Sequence, residues 1–186
     1  MSEIAESMIE KLENQLCQLI LYIGAIDALS EEYRLNESFR GDPFLFGTVY
    51  DGLWDAAVVR VATLWDNSSS VASLPKLAIK LERLNKPESK NVAKQIRTGT
   101  SPEWERLKVR RHQIIAHAKF PLDPNVFDKK FSVNLSDLRA EAERIELLLA
   151  AAKKCFGDTP AYFEGLKSDA AFNAKSFLSH LRGSAA

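Results

Sequence analysis

The chain has 186 residues, 25 Lys and Arg against 25 Asp and Glu, a formal net charge of +0 and two cysteines. That length fits one domain with a buried core. The even charge argues against a surface dedicated to coating duplex nucleic acid, which would be basic, and Cys17 and Cys155, both in apolar helical company, argue against a disulfide framework or a zinc site.

Ile4, Met8, Leu12, Leu16, Leu19, Ile23 and Ile26 recur every three or four residues, which predicts a long first helix over residues 3–28 or somewhat beyond. Gly41-Asp42-Pro43 breaks it. A second long helix, 43–66, carries Val49, Leu53, Ala57, Val61 and Leu64 on one stripe, widened by Trp54, Val58 and Trp65. A helix apolar over so much of its surface is central, or covered by a partner. Asn67-Ser68-Ser69-Ser70 ends it and offers caps for a third helix bearing Leu74, Leu77, Leu81 and Leu84. Lys86-Pro87 closes that one, and a short polar helix follows over 88–97.

Gly99 stops the chain and Ser101-Pro102-Glu103 restarts it: a serine cap, a proline in the first turn and an acid beside the positive helix end. The fifth helix should run over 102–118, since Pro121 disfavours helical geometry at Phe120. A loop through Asp123-Pro124-Asn125 leads to a sixth helix, 135–156, with Leu138, Ala142, Ile145, Leu149, Ala152 and Phe156 as its stripe and Gly157 as its stop. A weaker final helix spans 169–181, and the tail 183–186 should fray. Residues 130–133 come nearest to a strand. The expectation is therefore all-α: one domain over residues 1–186, an antiparallel bundle of six to seven helices. The N-terminus lacks a signal peptide's basic start and apolar block, and no apolar run reaches membrane-spanning length. A soluble, cytoplasmic protein is expected, with no membrane contact.

Arg110-Arg111-His112-Gln113-Ile114-Ile115-Ala116-His117 gathers two adjacent arginines and two of the three histidines near one helix end. Arginine forks onto a phosphate and is always charged. Histidine trades protons near neutral pH. Plainer readings stand beside this one. His117 can cap the last carbonyls of its helix. Arg110 and Arg111, after Lys108, can form a solvated basic face paired with Glu103 and Glu105. Arg60, inside an apolar helix, needs a partner such as Asp55, Asp66 or a residue of another helix. Trp54 and Trp65 read as core rather than base-stacking platforms, Cys17 and Cys155 as small core residues, and His180 as surface. The cysteines and His180 are scattered, and no paired acids flank the histidines at ligand spacing. No metal and no cofactor is expected.

The segment Arg111-His112-Gln113-Ile114-Ile115-Ala116-His117 resembles the Arg-polar-x(3–5)-His signature of the HEPN superfamily of helical RNase domains, and in particular the abortive-infection U-type branch. Val59-Arg60-Val61-Ala62-Thr63-Leu64-Trp65-Asp66 matches the run that ends that branch's upstream helix, and Ser73-Leu74-Pro75-Lys76-Leu77 follows where expected. The polar slot departs, holding His112 where asparagine or aspartate is commoner. The resemblance implies a metal-independent endoribonuclease of toxin or antiviral-defence type, working as a homodimer with the motif helices of two chains meeting across a cleft. His117 would move a proton at the ribose 2′-OH or the leaving 5′-oxygen, and Arg111 would hold the scissile phosphate, leaving a 2′,3′-cyclic phosphate. His112 would be the polar helper and Arg110 an auxiliary cation. On a regular helix Arg110 and His117 nearly share a face, whereas Arg111 lies about 120° from His117, so either arginine, or both, can be the phosphate ligand. RNA is the implied substrate, and a toxin brings a cognate antitoxin protein as a further partner. The alternative is a non-catalytic dimer of the same fold, serving as an interaction or RNA-binding module.

Overall fold

The computed structural model describes residues 2–35, 43–68, 71–99, 101–116 and 133–158, together with 169, 172, 173, 175 and 176. Among them the chain is all-α, with no strand. Six helices follow in order: α1 (Ser2–Leu35), α2 (Pro43–Leu64), α3 (Leu74–Arg83), α4 (Pro87–Thr98), α5 (Pro102–Ala116) and α6 (Leu135–Phe156).

The pairing is antiparallel. At the α1–α2 turn the rings of Tyr33 and Phe46 stack at 4.4 Å, and Ser30 Oγ lies 3.4 Å from the Tyr50 hydroxyl. These contacts carry α1 past residue 28, because Ala28 and Leu29 are buried against Phe46, Tyr50 and Leu53. Along α1 and α6, Arg139 meets Asp27 at 2.9 Å and Lys153 meets Glu13 at 3.0 Å, so the two helices run in opposite directions. α3 and α4 form a hairpin through Asn85, whose φ of 55 turns the chain, and Arg97 reaches Glu82 at 2.7 Å. One cluster of buried side chains draws on all six helices. Its deepest members are Ile9, Leu12, Leu16, Leu19 and Ile26 of α1, with Leu64, Leu74, Leu77, Leu81, Leu107, Leu138 and Ile145. Cys155 is buried in that cluster and Cys17 packs against it; burial pushes both thiols up.

Helix ends follow local chemistry. α2 stops at Leu64 because Asp66 turns back to accept the Ser68 N–H at 2.9 Å. α3 is capped not by the serines at 68–70 but by Ser73, in extended geometry with Pro75 just behind it. The Ser73 hydroxyl makes no cap bond and is buried without a partner. Lys86 is the N-cap of α4, which therefore begins at Pro87, and Pro87 lacks only a donor that a first-turn residue would leave unused anyway. α6 keeps its expected bounds. Asn134 accepts the Asp137 N–H while Asp137 accepts the Asn134 N–H, both at 3.0 Å. Gly157 closes the helix in the left-handed region at φ 86.

Residues 117–118, where α5 was expected to end, lie outside the described residues, as do 130–132, most of 169–181 and the tail. Of the expected last helix, Asp169, Phe172, Asn173, Lys175 and Ser176 are helical, and Lys175 Nζ meets Glu31 at 2.6 Å. That contact raises the lysine and lowers the carboxylate. No helix among the described residues is long and apolar enough to cross a membrane.

Candidate functional site

α5 carries the arginine cluster, and three contacts fix where it lies. Ser101 accepts the Trp104 N–H at 2.9 Å, the cap anticipated from Ser-Pro-Glu. Leu107 is fully buried. Arg106, one turn before Arg110, forks onto Asp137 of α6 through both carboxylate oxygens and touches Glu103 at 3.4 Å. Asp137 is thus both a helix cap and an anchor for α5, and it is buried while Arg106 keeps one edge in water. Asp137→Ala should therefore cost about 2 kcal/mol, the sum of a cap and a charge-assisted bond. Asn134→Ala should cost only the cap share of about 1 kcal/mol. Urea unfolding of the two variants checks that ordering.

Arg110 and Arg111 come next on α5, both half-buried. They do not form the solvated face paired with Glu103 and Glu105; those glutamates engage Arg106 and Lys108 instead. The carboxylates drawn to them belong to α2 and the turn after it. Burial pushes the Asp55 carboxyl up, Arg110 draws it down again, and Asp51 one turn away pushes it up. Asp66 is held low first by the Ser68 backbone N–H, with Arg111 contributing. His112 lies within α5, but its side chain is outside the described residues, as are His117 and His180 altogether. Arg110 and Arg111 thus share a helix within electrostatic reach of Asp55 in α2 and Asp66 just after it, and His117, the other half of the expected pair, lies outside the described residues.

Neither Asp55 nor Asp66 pairs with Arg60. Among the described residues it makes no ion pair, and its Nε is buried with no acceptor. The helix explains why: Asp55 lies about 140° around α2 from Arg60, and Asp66 continues about 120° away.

Sequence reasoning missed the most enclosed polar group near this site. Glu141 of α6 is 1% exposed. It accepts the Trp65 indole N–H at 2.7 Å and the Ser101 hydroxyl at 2.9 Å, with Arg144 at 3.5 Å. The Arg144 guanidinium also covers the Trp65 ring at 4.6 Å, and Trp65 packs on Trp104 at 6.0 Å. One carboxylate thus joins the end of α2, the start of α5 and the middle of α6. Gly99 makes room for it: a side-chain carbon there would sit 2.5 Å from the Gln95 carbonyl and 3.1 Å from Arg144. The available signal was an acid at position 141 inside the apolar stripe of Leu138, Ala142 and Ile145.

With this geometry in place, a family model described as AbiU2, of the HEPN class, matches residues 2–171. No curated protein and no solved structure matches the chain. The matched span takes in all six helices, the α5 arginines and the Val59–Asp66 run that ends on the Glu141 contact.

Proposed function

The chain belongs to the AbiU2-type HEPN family, and we propose that it is a metal-independent endoribonuclease of toxin or antiviral-defence type. In this reading two copies meet with their α5 helices across a cleft. Arg111 lays its fork on the scissile phosphate and neutralises the charge that develops there. His117 takes the proton from the ribose 2′-OH, or returns one to the leaving 5′-oxygen. The 2′-oxygen attacks phosphorus as the bond to the 5′-oxygen breaks, giving a 2′,3′-cyclic phosphate and a free 5′-hydroxyl. His112 assists as a polar helper and Arg110 as an auxiliary cation. The step balances without a cofactor.

The observation that carries this reading is Arg111 itself. It is a half-buried guanidinium on the motif helix that forms no ion pair among the described residues. A cation kept partly out of water without a closed ion pair is suited to an incoming anion. The homodimer draws support from α2, where the apolar Val49 and Val59 stay 46% and 39% exposed although Ala57, Val58, Val61, Ala62 and Leu64 of the same helix are buried. A second copy would cover them. Cytoplasmic RNA would be the substrate and a cognate antitoxin protein the natural restraint.

The test is purified protein, first sized by light scattering at micromolar concentration and then incubated with single-stranded RNA in EDTA. A dimer that leaves cyclic phosphate ends on RNA and spares DNA is the expected result. A strict monomer would remove the shared cleft. A dimer that binds RNA or a partner protein through α5 without cutting would replace catalysis with the interaction module.

A further inference from the structure

Charge is unevenly spread along this neutral chain. The α3–α4 hairpin, Leu74 to Thr98, carries seven of the 25 lysines and arginines but only two of the 25 acids, Glu82 and Glu88. The hairpin is therefore +5, and the remaining 18 cations and 23 acids leave −5. On α3, Lys76, Lys80 and Arg83 fall within about 60° of one another; on α4, Lys86, Lys90, Lys94 and Arg97 fall within about 80°. Like charges four residues apart repel and weaken a helix. Two such stripes side by side call for a counter-charge from outside the hairpin.

Three of the seven cations are engaged within the fold. Arg97 pairs with Glu82, Lys86 donates to the Cys155 carbonyl at 3.2 Å, and Lys76 donates to the Val71 carbonyl. The other four form no ion pair or side-chain hydrogen bond among the described residues: Lys80 is half-buried, and Arg83, Lys90 and Lys94 are exposed. The apolar faces of both helices are buried in the core, through Leu74, Leu77 and Leu81 of α3 and Val92, Ala93 and Ile96 of α4. No aromatic residue occurs between 74 and 98, and the large apolar side chain that the hairpin exposes is Ile79, at 42%.

That surface fits a phosphate polymer. A helix lying on a membrane needs a broad apolar face to sink into the lipid, and here that face is in the core. Protein partners are gripped by aromatic and arginine anchors, and lysine is depleted in such interfaces. Lysines without rings beside them suit a phosphate backbone, which is met as charge and not as base sequence. We propose that the α3–α4 hairpin is a second binding surface, a dock for the backbone of single-stranded RNA, carried by Lys80, Arg83, Lys90 and Lys94. The choice of RNA rests on the RNA-cleaving reading above; the charge of the surface does not. α4 ends at Thr98 and α5 starts at Pro102, so the basic stripe of α4 ends at the corner from which the motif helix leaves. Arg111 lies nine residues beyond Pro102, about 14 Å along α5. The dock supplies substrate to that helix without selecting its sequence.

The test uses the full chain and a single-stranded RNA methylated at its 2′-hydroxyls, so that it cannot be cut, with binding measured as salt is varied. Each phosphate contact contributes about 0.7 to the slope of log affinity against log salt. Lys90→Gln with Lys94→Gln should lower the slope by about 1.4, Lys80→Gln with Arg83→Gln by about 1.4, and all four together by about 2.8. Lys11→Gln with Lys154→Gln removes the same charge from exposed positions outside the hairpin and should leave the slope in place. Oligouridine and oligoadenosine should give equal slopes. Should the α3 pair of substitutions unfold the protein, the exposed α4 pair decides alone. A slope unmoved by the hairpin variants, or lowered as much by Lys11→Gln with Lys154→Gln, overturns the dock and leaves the RNA-cleaving reading standing. A wild-type protein that binds through the hairpin but leaves unmethylated RNA intact keeps the dock and removes the nuclease. If wild type binds no RNA at any salt, or uses these four cations on phosphatidylserine vesicles instead, the inference is wrong, and the cleavage assay decides the nuclease separately.

Discussion

Glu141→Ala is expected to destabilise the protein by about 3–5 kcal/mol, the range for removing one partner of a buried, hydrogen-bonded charge cluster. The loss comes from what is left behind. Trp65 Nε1 and the Ser101 hydroxyl lose acceptors at 2.7 and 2.9 Å in a site closed to water. Arg144, whose NH2 group is already buried without a partner, loses its counter-charge. Glu141→Gln keeps the shape and one acceptor oxygen but sets an amide against Ser101 and Arg144, so it should cost less, about 1–3 kcal/mol. Glu141→Leu combined with Arg144→Met removes both charges together and should cost less than Glu141→Ala despite the larger change. Urea unfolding followed by tryptophan fluorescence reads all three, because Trp65 sits in the cluster. A loss below about 1 kcal/mol for Glu141→Ala would mean that water replaces the carboxylate and that the cluster does not hold α2, α5 and α6 together.

That cluster marks where reading along the chain stops being enough. Helix existence was legible because its signals are local. Ser101 before Pro102 caps α5, the Asn134–Asp137 pair opens α6, and Gly157 closes it. Each works within one turn of the backbone. Glu141 binds Trp65 across 76 positions and Ser101 across 40, so nothing in its own helix distinguishes it from a stray acid in an apolar stripe. The cap of α3 was misplaced for a related reason: several serines were available, and burial at Ser73 selected the one whose hydroxyl bonds to nothing. At the candidate site, the positions of Arg110 and Arg111 near the end of α5 followed from periodicity and Pro102. Their partners did not. Asp55 reads from the sequence as a partner for Arg60 on its own helix, whereas it is the charge of Arg110 on α5 that lowers its carboxyl. The upstream Trp65-Asp66 pair gains a physical meaning from the fold: the indole anchors on Glu141 and the aspartate ends the helix beside Arg111.

The largest effect on activity is expected from His117→Ala, which should lower RNA cleavage by about 10³-fold or more. Positioned proton transfer is worth about 10²–10⁴, and five residues on a regular helix are about 140° apart, so the spacing of His112 and His117 does not favour one replacing the other. Arg111→Lys should lose about 10²–10³ while keeping the charge, because an ammonium cannot replace the two parallel bonds of a guanidinium on a phosphate. Arg110→Lys should lose much less, since the proposed reaction gives that side chain only an auxiliary part. Both losses should fall on turnover rather than on RNA affinity for His117→Ala, and on both for Arg111→Lys, because only the arginine carries charge that the substrate meets before reaction. A substrate with a single 2′-deoxy nucleotide at the cleavage position should be bound and left intact, and EDTA should change nothing. These outcomes are linked, since the proposed reaction makes the 2′-oxygen the nucleophile and the histidine its base. If His117→Ala cuts as fast as wild type, or the 2′-deoxy site is cut, the base and nucleophile have been misassigned together. A wild-type rate matched by Arg111→Lys would instead spare the histidine and show that the phosphate needs only a positive charge there, as it would if Arg110 met it.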